Sequence, residues 1–377
     1  MRKGDVTFLM LAFLALCLNL SSCVQKRLGE VMSDNFGEEK LENDITKKGK
    51  EVADSLLTEM TMEERVGQCL MPSLYASADP STITLLRKYI DDFHVGGIVL
   101  LKGNLTAAKE IAEIGSEAAI PLFIAIDAEW GLGMRLEDAP VYPKNGNIGK
   151  EAEDTELFDY GFKIAEECRD VGINMVLGPV VDIAAVDWGV IGKRSFGNNP
   201  RLVSEFGVAY AKGLESGGVI SVAKHFPGHG STVIDSHRGI AKVKRDISAM
   251  DSIDLRPFKD YVNLGLTGIM AGHIQSLALD PDGNAATVSM DMLTSLLRDE
   301  MGFKGLVLTD AFDMGGAKGS SVVEALQAGA DLILSPLNVE NEYYNIIDAV
   351  KKGKLDIQVI NDRCRRILFY KYLFNIL

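Results

Sequence analysis

The sequence predicts an α/β protein whose parallel strands close into a (β/α)8 TIM barrel, all within a single domain. Eight short apolar runs recur along the 377 residues, and segments with helical periodicity lie between most of them. Near-continuous apolar strands that alternate with helices are typical of a parallel sheet covered on both faces. About 300 residues suffice to close such a sheet into a barrel, and an open doubly wound sheet is the alternative.

We interpret the eight runs as strands because each is short and almost continuously apolar. In chain order they are GQCLMPSLY (67–75), GGIVLL (96–101), LFIAID (122–127), NMVLGPVVDI (174–183), ISVAKHF (220–226), TGIMAGHI (267–274), GLVLTD (305–310) and DLILSP (331–336). Helical periodicity is clear in ELFDYGFKIAEECRDVG and VSMDMLTSLLRDEMGF. The pattern from Thr61 to Glu64 predicts a capping box at a helix start.

Polar residues gather at the ends of these runs. They are Asp127 at the third run, Asp182 at the fourth, Lys224 and His225 at the fifth, His273 at the sixth and Asp310 at the seventh. Because functional residues of a barrel lie where its strands end, we expect these side chains from separate strands to converge on one site.

The first residues predict an export signal rather than a membrane span. Two basic residues precede the apolar run FLMLAFLALCLNL, which is short for a transmembrane helix. The following LSSC resembles a bacterial lipoprotein processing box, which assigns residues 1–22 to a signal peptide and Cys23 to lipidation; a simple secretory signal is the alternative. Residues 23–50 are polar and suit a tether, so we expect the folded domain over residues 51–377.

Composition and charge narrow the function classes. The chain has 47% hydrophobic and 24% charged residues, as ordinary globular proteins do, and its formal net charge of −14 argues against nucleic-acid binding. Cys69, Cys168 and Cys364 are far apart and lack a CxxC spacing. We therefore expect buried thiols rather than a disulfide framework or a zinc site.

The glycine-rich loop KHFPGHGSTVIDSHRG (224–239) holds three of the five histidines of the chain. Asp235 and His237 are two residues apart, so in an extended segment their side chains point the same way. The carboxylate can then fix the tautomer of the imidazole and raise its pKa, and the second ring nitrogen can exchange a proton with a substrate. An ordinary surface Asp-x-His is the alternative.

Asp310 ends the run GLVLTD and precedes a glycine-containing turn. A carboxylate in this place can be a nucleophile, a metal ligand or a helix N-cap, and spacing alone leaves the three roles open. The histidines of the 224–239 loop offer zinc ligands, but the chain lacks HExxH and any helical i, i+4 histidine pair, so no metal is predicted. Glycine motifs for phosphate binding are also missing, which argues against a nucleotide cofactor.

Four segments of the chain resemble, in order and approximate spacing, the signature segments of the single-domain β-N-acetylhexosaminidase branch of glycoside hydrolase family 3. They are AIDAEWGLGMR (125–135), GVIGKRSFGNNP (189–200), KHFPGHGSTVIDSH (224–237) and LVLTDAFDMGG (306–316). The agreement extends from about residue 51 to the last residue. The resemblance implies a (β/α)8 fold and a retaining glycosidase that uses no cofactor.

The resemblance also implies a role for each matching residue. Asp310 would be the nucleophile, and His237, oriented by Asp235, would protonate the leaving oxygen and then activate water. The implied sugar-binding residues are Asp127, Arg135, Arg194, Lys224 and His225. Charged groups suit this task because hydrogen bonds to ionised groups are strong in a partly dry pocket. For the two arginines, a salt bridge that braces a loop is the structural alternative.

Three features depart from the family pattern. Ser231 stands where the family often has an acidic residue, and Trp130 gives EWG in place of the usual EGG. Trp130 can stack on a neighbouring sugar or pack against the barrel. The sequence also shows no counterpart of the second α/β domain of multidomain members, so we expect the barrel alone to build the site.

The sequence therefore predicts a retaining exo-β-N-acetylglucosaminidase that removes terminal N-acetylglucosamine from peptidoglycan fragments or chitin-type oligosaccharides. The alternatives are a family 3 β-glucosidase or β-xylosidase, an N-acetylglucosaminide phosphorylase and a catalytically inactive carbohydrate-binding lipoprotein. The expected partners are the oligosaccharide and, through a lipid on Cys23, a membrane in the cell envelope of a Gram-negative-type bacterium. The sequence does not predict the oligomeric state.

Overall fold

The structure is a computed structural model, and it describes residues 38–149, 154–185, 189–232 and 239–377. The side chains of residues 38–43 and of Asp154 are not described. The predicted signal peptide (1–22), the predicted lipidation site Cys23 and the predicted pair Asp235 and His237 all lie outside the described residues.

A parallel sheet of seven strands forms the centre of the described protein, and two sheets of two strands accompany it. In chain order the strands are β1 (Leu70–Met71), β2 (Ser73–Ala76), β3 (Gly97–Gly103), β4 (Phe123–Ile126), β5 (Met175–Val176), β6 (Ile220–Phe226), β7 (Ala241–Val243), β8 (Gly268–Ala271), β9 (Ile274–Ser276), β10 (Leu306–Thr309) and β11 (Ile333–Leu334). The large sheet has the order β10-β8-β6-β5-β4-β3-β2, and each adjacent pair is parallel. Each predicted apolar run contains a strand, which confirms the α/β class and the parallel sheet.

Both margins of the large sheet are hydrogen bonded to the segment around β11. On one side, the Thr309 N–H at the end of β10 donates to Leu332 O at 3.0 Å. On the other side, β11 pairs with β1 in parallel, and the Ser335 N–H donates to Met71 O at 2.9 Å. Pro72 alone separates β1 from β2, so the chain that pairs with β11 continues directly into the opposite margin.

Helices cover the sheet between the strands, as the periodicity predicts. The α-helices are α1 (Glu38–Glu59), α2 (Met62–Gln68), α3 (Pro80–Asp91), α4 (Leu105–Ser116), α5 (Asn145–Ile148), α6 (Asp154–Asp170), α7 (Pro200–Ser216), α8 (Ile247–Ala249), α9 (Arg256–Asn263), α10 (Val322–Ala328), α11 (Val339–Lys351) and α12 (Ile357–Leu373); the turns Met250–Asp254 and Asp291–Glu300 are π-helical. One large apolar cluster fills the space between sheet and helices. The predicted capping box is confirmed, since the Thr61 hydroxyl accepts from the Glu64 N–H and the Glu64 carboxylate accepts from the Thr61 N–H.

The fourth strand is shorter than its apolar run. The run 174–183 contains only β5, because Gly178 and Pro179 follow and a proline has no N–H to donate to a neighbouring strand. The chain beyond Pro179 still follows β6, and the Val181 N–H donates to Lys224 O at 2.9 Å. Asp182 is therefore placed beside the end of β6, although it lies well past the end of β5.

Helix α1 begins at Glu38, so the predicted tether does not extend over residues 38–50. Ile45 and Gly49 are buried and, being four residues apart, share one face of the helix. A Cβ at Gly49 would lie 3.0 Å from the Tyr372 ring, which shows how closely α1 packs on α12. The polar composition concealed this single apolar face, which is enough to order the segment against the domain.

The three cysteines of the described residues are free and buried, which confirms the prediction of buried thiols. Burial raises the pKa of Cys69, Cys168 and Cys364, so these thiols stay protonated. Among the described helices, none is both long and apolar enough to cross a membrane.

Candidate active site

The residues predicted at the strand ends line one cavity of about 320 Å³. It opens at the C-terminal face of the sheet, meaning the side on which the parallel strands end; we call it the site cavity. Its lining includes the predicted nucleophile and all five predicted sugar-binding residues, namely Asp127, Arg135, Arg194, Lys224, His225 and Asp310. The volume lies near the lower limit of about 300 Å³ for small-molecule sites, which suits a ligand the size of one sugar.

Asp127 follows β4 and is held by two cations. Its Oδ1 accepts a hydrogen bond from Lys224 Nζ at 2.7 Å, and its Oδ2 accepts one from the Arg135 guanidinium. Burial alone would raise the pKa of Asp127, but the charges of Lys224 and Arg135 outweigh burial and hold it far below the usual range. The carboxylate is therefore ionised, and each oxygen keeps a lone pair for a ligand hydroxyl.

Glu129, two residues further on, is fully buried behind Asp127. The Arg194 guanidinium donates to both of its oxygens, with Nε at 3.0 Å and Nη2 at 2.7 Å, and Lys224 Nζ lies 2.9 Å from Oε1. Burial would raise the pKa of Glu129, but Lys224 and Arg194 together lower it to about 2. Arg194 thus braces the Glu129 loop and also lines the site cavity, and its role in binding a sugar stays a prediction.

Asp182 holds the two histidines that begin the glycine-rich loop. Its Oδ2 lies 2.7 Å from Nδ1 of His225, and its Oδ1 accepts from the His229 backbone N–H at 2.6 Å. Burial would raise the pKa of Asp182, but the interactions with His225 and His229 lower it, so the carboxyl is ionised. An ionised carboxylate only accepts, so Nδ1 of His225 carries the proton and Nε2 is left for a ligand. His229 packs edge-on against His225, with ring centroids 5.6 Å apart, and braces the loop.

Asp310 directly follows β10 and is 9% exposed at the wall of the site cavity. Its backbone N–H donates to Ala271 O at 2.7 Å, which fixes it to β8. One carboxylate oxygen, Oδ1, accepts from the Ala311 N–H at 2.9 Å. Within the described part of the chain the other oxygen accepts no hydrogen bond, so it is the atom available to react with a ligand.

His273 lies behind Asp310 and is fully buried. Its Nε2 donates to Ala311 O at 3.1 Å, and its Nδ1 lies 3.0 Å from the Thr287 hydroxyl. Burial lowers the pKa of His273, so the ring is neutral and its Nδ1 accepts from Thr287. His273 therefore does not line the site cavity but fixes the backbone that carries the predicted nucleophile.

Trp130 is half-buried, and Lys144 Nζ lies 5.1 Å from the centre of its ring. It is not one of the residues that line the site cavity. Of the two roles considered for it, this placement favours packing at the edge of the site.

Asp235 and His237 lie outside the described residues, so their role as oriented acid and base stays a prediction. The described loop leads towards them, since it is anchored at His229 by Asp182 and extends to Thr232. Within the described segments no three His, Cys, Asp or Glu side chains converge as a metal-binding group. Of the three histidines considered as zinc ligands, His237 lies outside those segments.

Sequence reasoning missed the contributions of Glu129 and Asp182. The signal for Glu129 was present, since it lies two residues after Asp127 and shares its side of an extended segment. Asp182 was noted only as a strand-end residue, because its contact with His225 depends on the chain beyond Pro179 running beside β6. Both residues act by holding the groups that reach the cavity.

Chemically, the arrangement combines one unshielded carboxylate with a fixed network of ionised hydrogen-bonding groups. Asp127 offers acceptors, Arg135 and Lys224 offer donors, and His225 offers its Nε2. Such a wall can grip a ring of hydroxyl groups in one orientation and present its carbon atoms to Asp310.

Known proteins resemble this chain over most of its length. It is 34% identical over 322 residues to a beta-hexosaminidase A of Pseudoalteromonas piscicida, with 75% of this chain and 54% of the relative covered. It is 33% identical over 256 residues to a beta-hexosaminidase of Nitrosomonas eutropha, with 64% of this chain and 73% of the relative covered. The chain thus spans about half the length of the first relative and nearly three quarters of the second.

A solved structure of a glycoside hydrolase family 3 beta-N-acetylglucosaminidase from Paenibacillus sp. str. FPU-7 superposes with a TM-score of 0.78 at 31% identity. The superposition covers 84% of this chain and 63% of that one. The profile described as "Glycosyl hydrolase family 3 N terminal domain" matches residues 61–369. This range includes each described residue of the site cavity, and the chain belongs to the glycoside hydrolase family 3 N-terminal domain family.

Proposed function

We propose that this chain is a retaining exo-β-N-acetylglucosaminidase with Asp310 as its nucleophile. The observation that carries the proposal is the site cavity, where the Asp310 carboxylate faces the same space as the charged groups suited to sugar hydroxyls. The relatives named beta-hexosaminidase and beta-N-acetylglucosaminidase, at 31–34% identity, support a substrate that contains N-acetylglucosamine. The predicted proton carrier of the 224–239 loop supports the same class.

We also infer that the sheet closes into a complete (β/α)8 barrel. The support is the pair of hydrogen-bonded seams that connect β10 and β1 through the segment 331–335. Closure around this segment accounts for a single cavity that collects residues from β3, β4, β6, β8 and β10.

In the first chemical step, the free carboxylate oxygen of Asp310 attacks the anomeric carbon of the bound sugar. A carbon–oxygen ester bond forms while the bond to the leaving sugar breaks, and the leaving oxygen takes the electron pair. That oxygen receives a proton from His237, whose other ring nitrogen is held by Asp235. In the second step, water gives a proton to His237 and attacks the same carbon, and the Asp310 carboxylate leaves.

The charged wall holds the sugar during both steps. Asp127 accepts from sugar hydroxyls, while Lys224 and Arg135 keep N–H groups that its carboxylate does not use. Because the network is ionised and fixed before binding, its hydrogen bonds need little reorganisation as charge develops on the sugar ring. Peptidoglycan fragments and chitin-type oligosaccharides present the terminal N-acetylglucosamine that this wall would bind.

We place the protein in the cell envelope, held by a lipid on Cys23 after removal of residues 1–22. The support is the apolar run followed by LSSC, and the placement fits the proposed action on envelope or extracellular sugars. Metabolic labelling with a clickable palmitate would detect the lipid on wild type. A Cys23→Ser variant that still carries the label would overturn this placement.

Replacement of the nucleophile is the most direct test. Asp310→Ala is expected to lower kcat on 4-nitrophenyl N-acetylglucosaminide by a factor of about 10³ or more, because it removes the oxygen proposed to attack the anomeric carbon. The exposed Asp299→Ala serves as the matched control and keeps wild-type kcat. In addition, a slow 5-fluoro N-acetylglucosaminide, which keeps the 2-acetamido group, should label wild type at Asp310, as found by peptide mass. A label on a different residue would reject the assignment.

The acid role of His237 is tested with leaving groups of different basicity. His237→Ala should slow chitobiose hydrolysis far more than hydrolysis of the aryl glycoside, because a good leaving group needs less protonation. Equal losses on both substrates would count against general acid catalysis. External azide should restore part of the aryl glycoside rate if deglycosylation also lacks its base.

Substrate and acceptor are distinguished by product analysis. Hydrolysis of a muropeptide and of chitobiose, with and without phosphate, separates water from phosphate as the acceptor by the mass of the released sugar. Release of N-acetylglucosamine 1-phosphate as the main product would favour the phosphorylase. Faster cleavage of the 4-nitrophenyl glucoside than of the N-acetylglucosaminide would favour a β-glucosidase.

A further inference from the structure

An exposed aromatic side chain stands above the site cavity at the seam where β2 approaches β11. Tyr75 in β2 is 61% exposed, and Leu337, just past β11, is 77% exposed. Isolated exposed apolar residues are common on protein surfaces and need no explanation. Tyr75 and Leu337 differ from such isolated residues in their position relative to the site cavity.

The strand register gives the direction of Tyr75. Ser73 is paired with Val99 of β3, which lines the site cavity, and paired residues of parallel strands point to the same side of the sheet. Tyr75 is two residues beyond Ser73 and therefore points to that same side. The register shifts next to Tyr75, so this one residue of β2 faces both Leu101 and Lys102 of β3, and Leu101 lines the cavity.

The height of Tyr75 above the cavity follows from a contact across the seam. The Ser73 hydroxyl is hydrogen bonded to the hydroxyl of Ser335, which itself lines the site cavity. Ser73 is therefore level with the cavity wall, and Tyr75 lies about 6.6 Å further towards solvent along the strand.

We propose that Tyr75, with Leu337 beside it, forms an aromatic platform for the sugar on the leaving-group side of the cleaved bond. This inference rests on the proposed glycosidase function and adds a second subsite to it. A pyranose ring has an apolar face of C–H groups, and an exposed tyrosine ring offers a flat apolar surface with a polar edge. The site cavity has room for one sugar, so the next one must lie on the rim.

The platform accounts for a contrast between the two parts of the binding surface. The site cavity is lined by ionised groups that grip hydroxyls in one orientation, whereas the rim at Tyr75 is apolar and makes few directional demands. An exo-acting enzyme built this way is selective for the terminal sugar and tolerant of different second sugars. Other occupants of the rim would be a second copy of the chain or a further protein domain.

The test compares a substrate that has a second ring with one that lacks it. The ratio of kcat/KM for chitobiose to kcat/KM for 2,2,2-trifluoroethyl N-acetylglucosaminide should fall by about 3–10-fold in Tyr75→Ala, the scale of one lost aromatic contact. Tyr75→Phe keeps the ring and should retain most of the ratio. The matched control is Tyr344→Ala, an equally exposed tyrosine on α11, which should leave the ratio unchanged.

An unchanged ratio in Tyr75→Ala, with both substrates cleaved by wild type, would overturn the platform alone. A wild-type protein that cleaves neither substrate would count against the proposed function. The platform is then tested separately by calorimetry, where Tyr75→Ala should weaken chitobiose binding by the same factor and an unchanged affinity would overturn it. Light scattering of both proteins completes the test, because a dimer that Tyr75→Ala dissociates would assign the rim to a second copy instead.

Discussion

The two ends of the sheet each hold a cluster of buried charges, and the clusters differ in composition and in access. At the C-terminal face, Asp127 and Glu129 share three cations around the site cavity. At the opposite, N-terminal face, the single carboxylate of Asp331 is shared by three arginines. Asp331 also accepts from the Val307 N–H at 2.7 Å, at the start of β10.

The arginines around Asp331 are Arg298, Arg363 and Arg366, of which the last two belong to helix α12. Nη1 of Arg298 donates to the carbonyls of residues 303 and 305, so Arg298 joins α12 and the 291–305 segment to the sheet. No residue of this cluster lines the site cavity. Clusters of buried ion pairs therefore hold the scaffold together at the N-terminal face and leave groups available for a ligand at the C-terminal face.

Another buried carboxyl, that of Glu215, has no cation beside it in the described structure. Glu215 accepts from the Ser221 hydroxyl at 2.6 Å and from the Thr267 N–H at 2.8 Å, both near the N-terminal ends of strands. Burial raises the pKa of Glu215 to about 7, in spite of these hydrogen bonds. The comparison with Glu129, whose pKa is lowered to about 2, shows that the paired cations decide whether a buried carboxyl stays charged.

The largest expected effect comes from breaking the N-terminal cluster. Asp331→Ala removes the carboxylate that the three arginines share, and loss of one partner in a buried ion network costs about 3–5 kcal/mol. Chemical denaturation should show this drop in the free energy of unfolding, while KM of the folded protein stays within about twofold of wild type, given the separation of the two ends. A raised KM without a drop in the free energy of unfolding would contradict the assignment of the N-terminal cluster to the scaffold and of the C-terminal cluster to ligand binding.

The next effect depends on pH. The folded pKa of Glu215 lies above its unfolded value of about 4.5, so its contribution to stability is present below pH 4.5 and is lost as the pH rises through 7. Glu215→Gln keeps an acceptor for Ser221 and Thr267 but does not ionise. Its stability relative to wild type should therefore increase between pH 5 and pH 8, by up to about 3 kcal/mol.

Thermal denaturation of both proteins at several pH values measures this difference. The expected order is near equality at pH 5 and a more stable variant at pH 8. A difference that shrinks as the pH rises would mean that the carboxyl is already ionised in the folded protein and that a cation compensates for it.

A smaller effect is expected at the C-terminal face. Asp127→Asn removes the charge that Lys224 and Arg135 share, and hydrogen bonds to charged groups contribute about 1.5–3 kcal/mol. KM for the aryl glycoside should rise about 10–100-fold, with a smaller change in the free energy of unfolding than for Asp331→Ala. The exposed ion-pair variant Lys88→Gln is the control, and it should leave KM unchanged. A fall in stability with unchanged KM would assign Asp127 to the scaffold.

The smallest effect is expected within the C-terminal face, where His273 holds the backbone next to Asp310. Thr287→Val removes the hydroxyl that fixes the ring of His273, which in turn holds the carbonyl of Ala311. One hydrogen bond of about 0.5–1.5 kcal/mol corresponds to a loss of about 2–12-fold, expected in kcat rather than in KM. Thr287→Ser restores the hydroxyl and should restore kcat. A change confined to KM would contradict a positioning role.

The periodicity of the sequence was sufficient to predict the order of the eight main strands along the chain, because a strand buried in a parallel sheet is a continuous apolar run. It was also sufficient for the predicted cavity residues, since Asp127, Lys224, His225 and Asp310 stand where runs end. Arg135 and Arg194 follow no such rule. They lie in loops after the strands, and only the resemblance to a family identified them.

The remaining features depend on interactions that no local pattern encodes. Asp182 reaches His225 because a proline ends β5 and the following chain runs along β6. Helix α1 was not predicted because its few buried residues pack on α12, which lies more than 300 residues further along the chain. The hydrogen bond from Arg365 in α12 to Asp54 in α1 is an example of such a distant contact. Tyr75 looks like any surface tyrosine until the register of β2 places it above the cavity.

The seam between β1 and β11 joins residues from opposite ends of the described chain, and it bears on biosynthesis. Ser73 and Ser335 are 262 residues apart in sequence, and their contact lies at the wall of the site cavity. A ribosome must therefore release almost the whole polypeptide before this wall exists, and such distant contacts are the slowest to form. We expect nascent chains that stop before residue 331 to lack sugar affinity even where their first strands are already paired. The site cavity would thus become able to bind a sugar only at the end of translation.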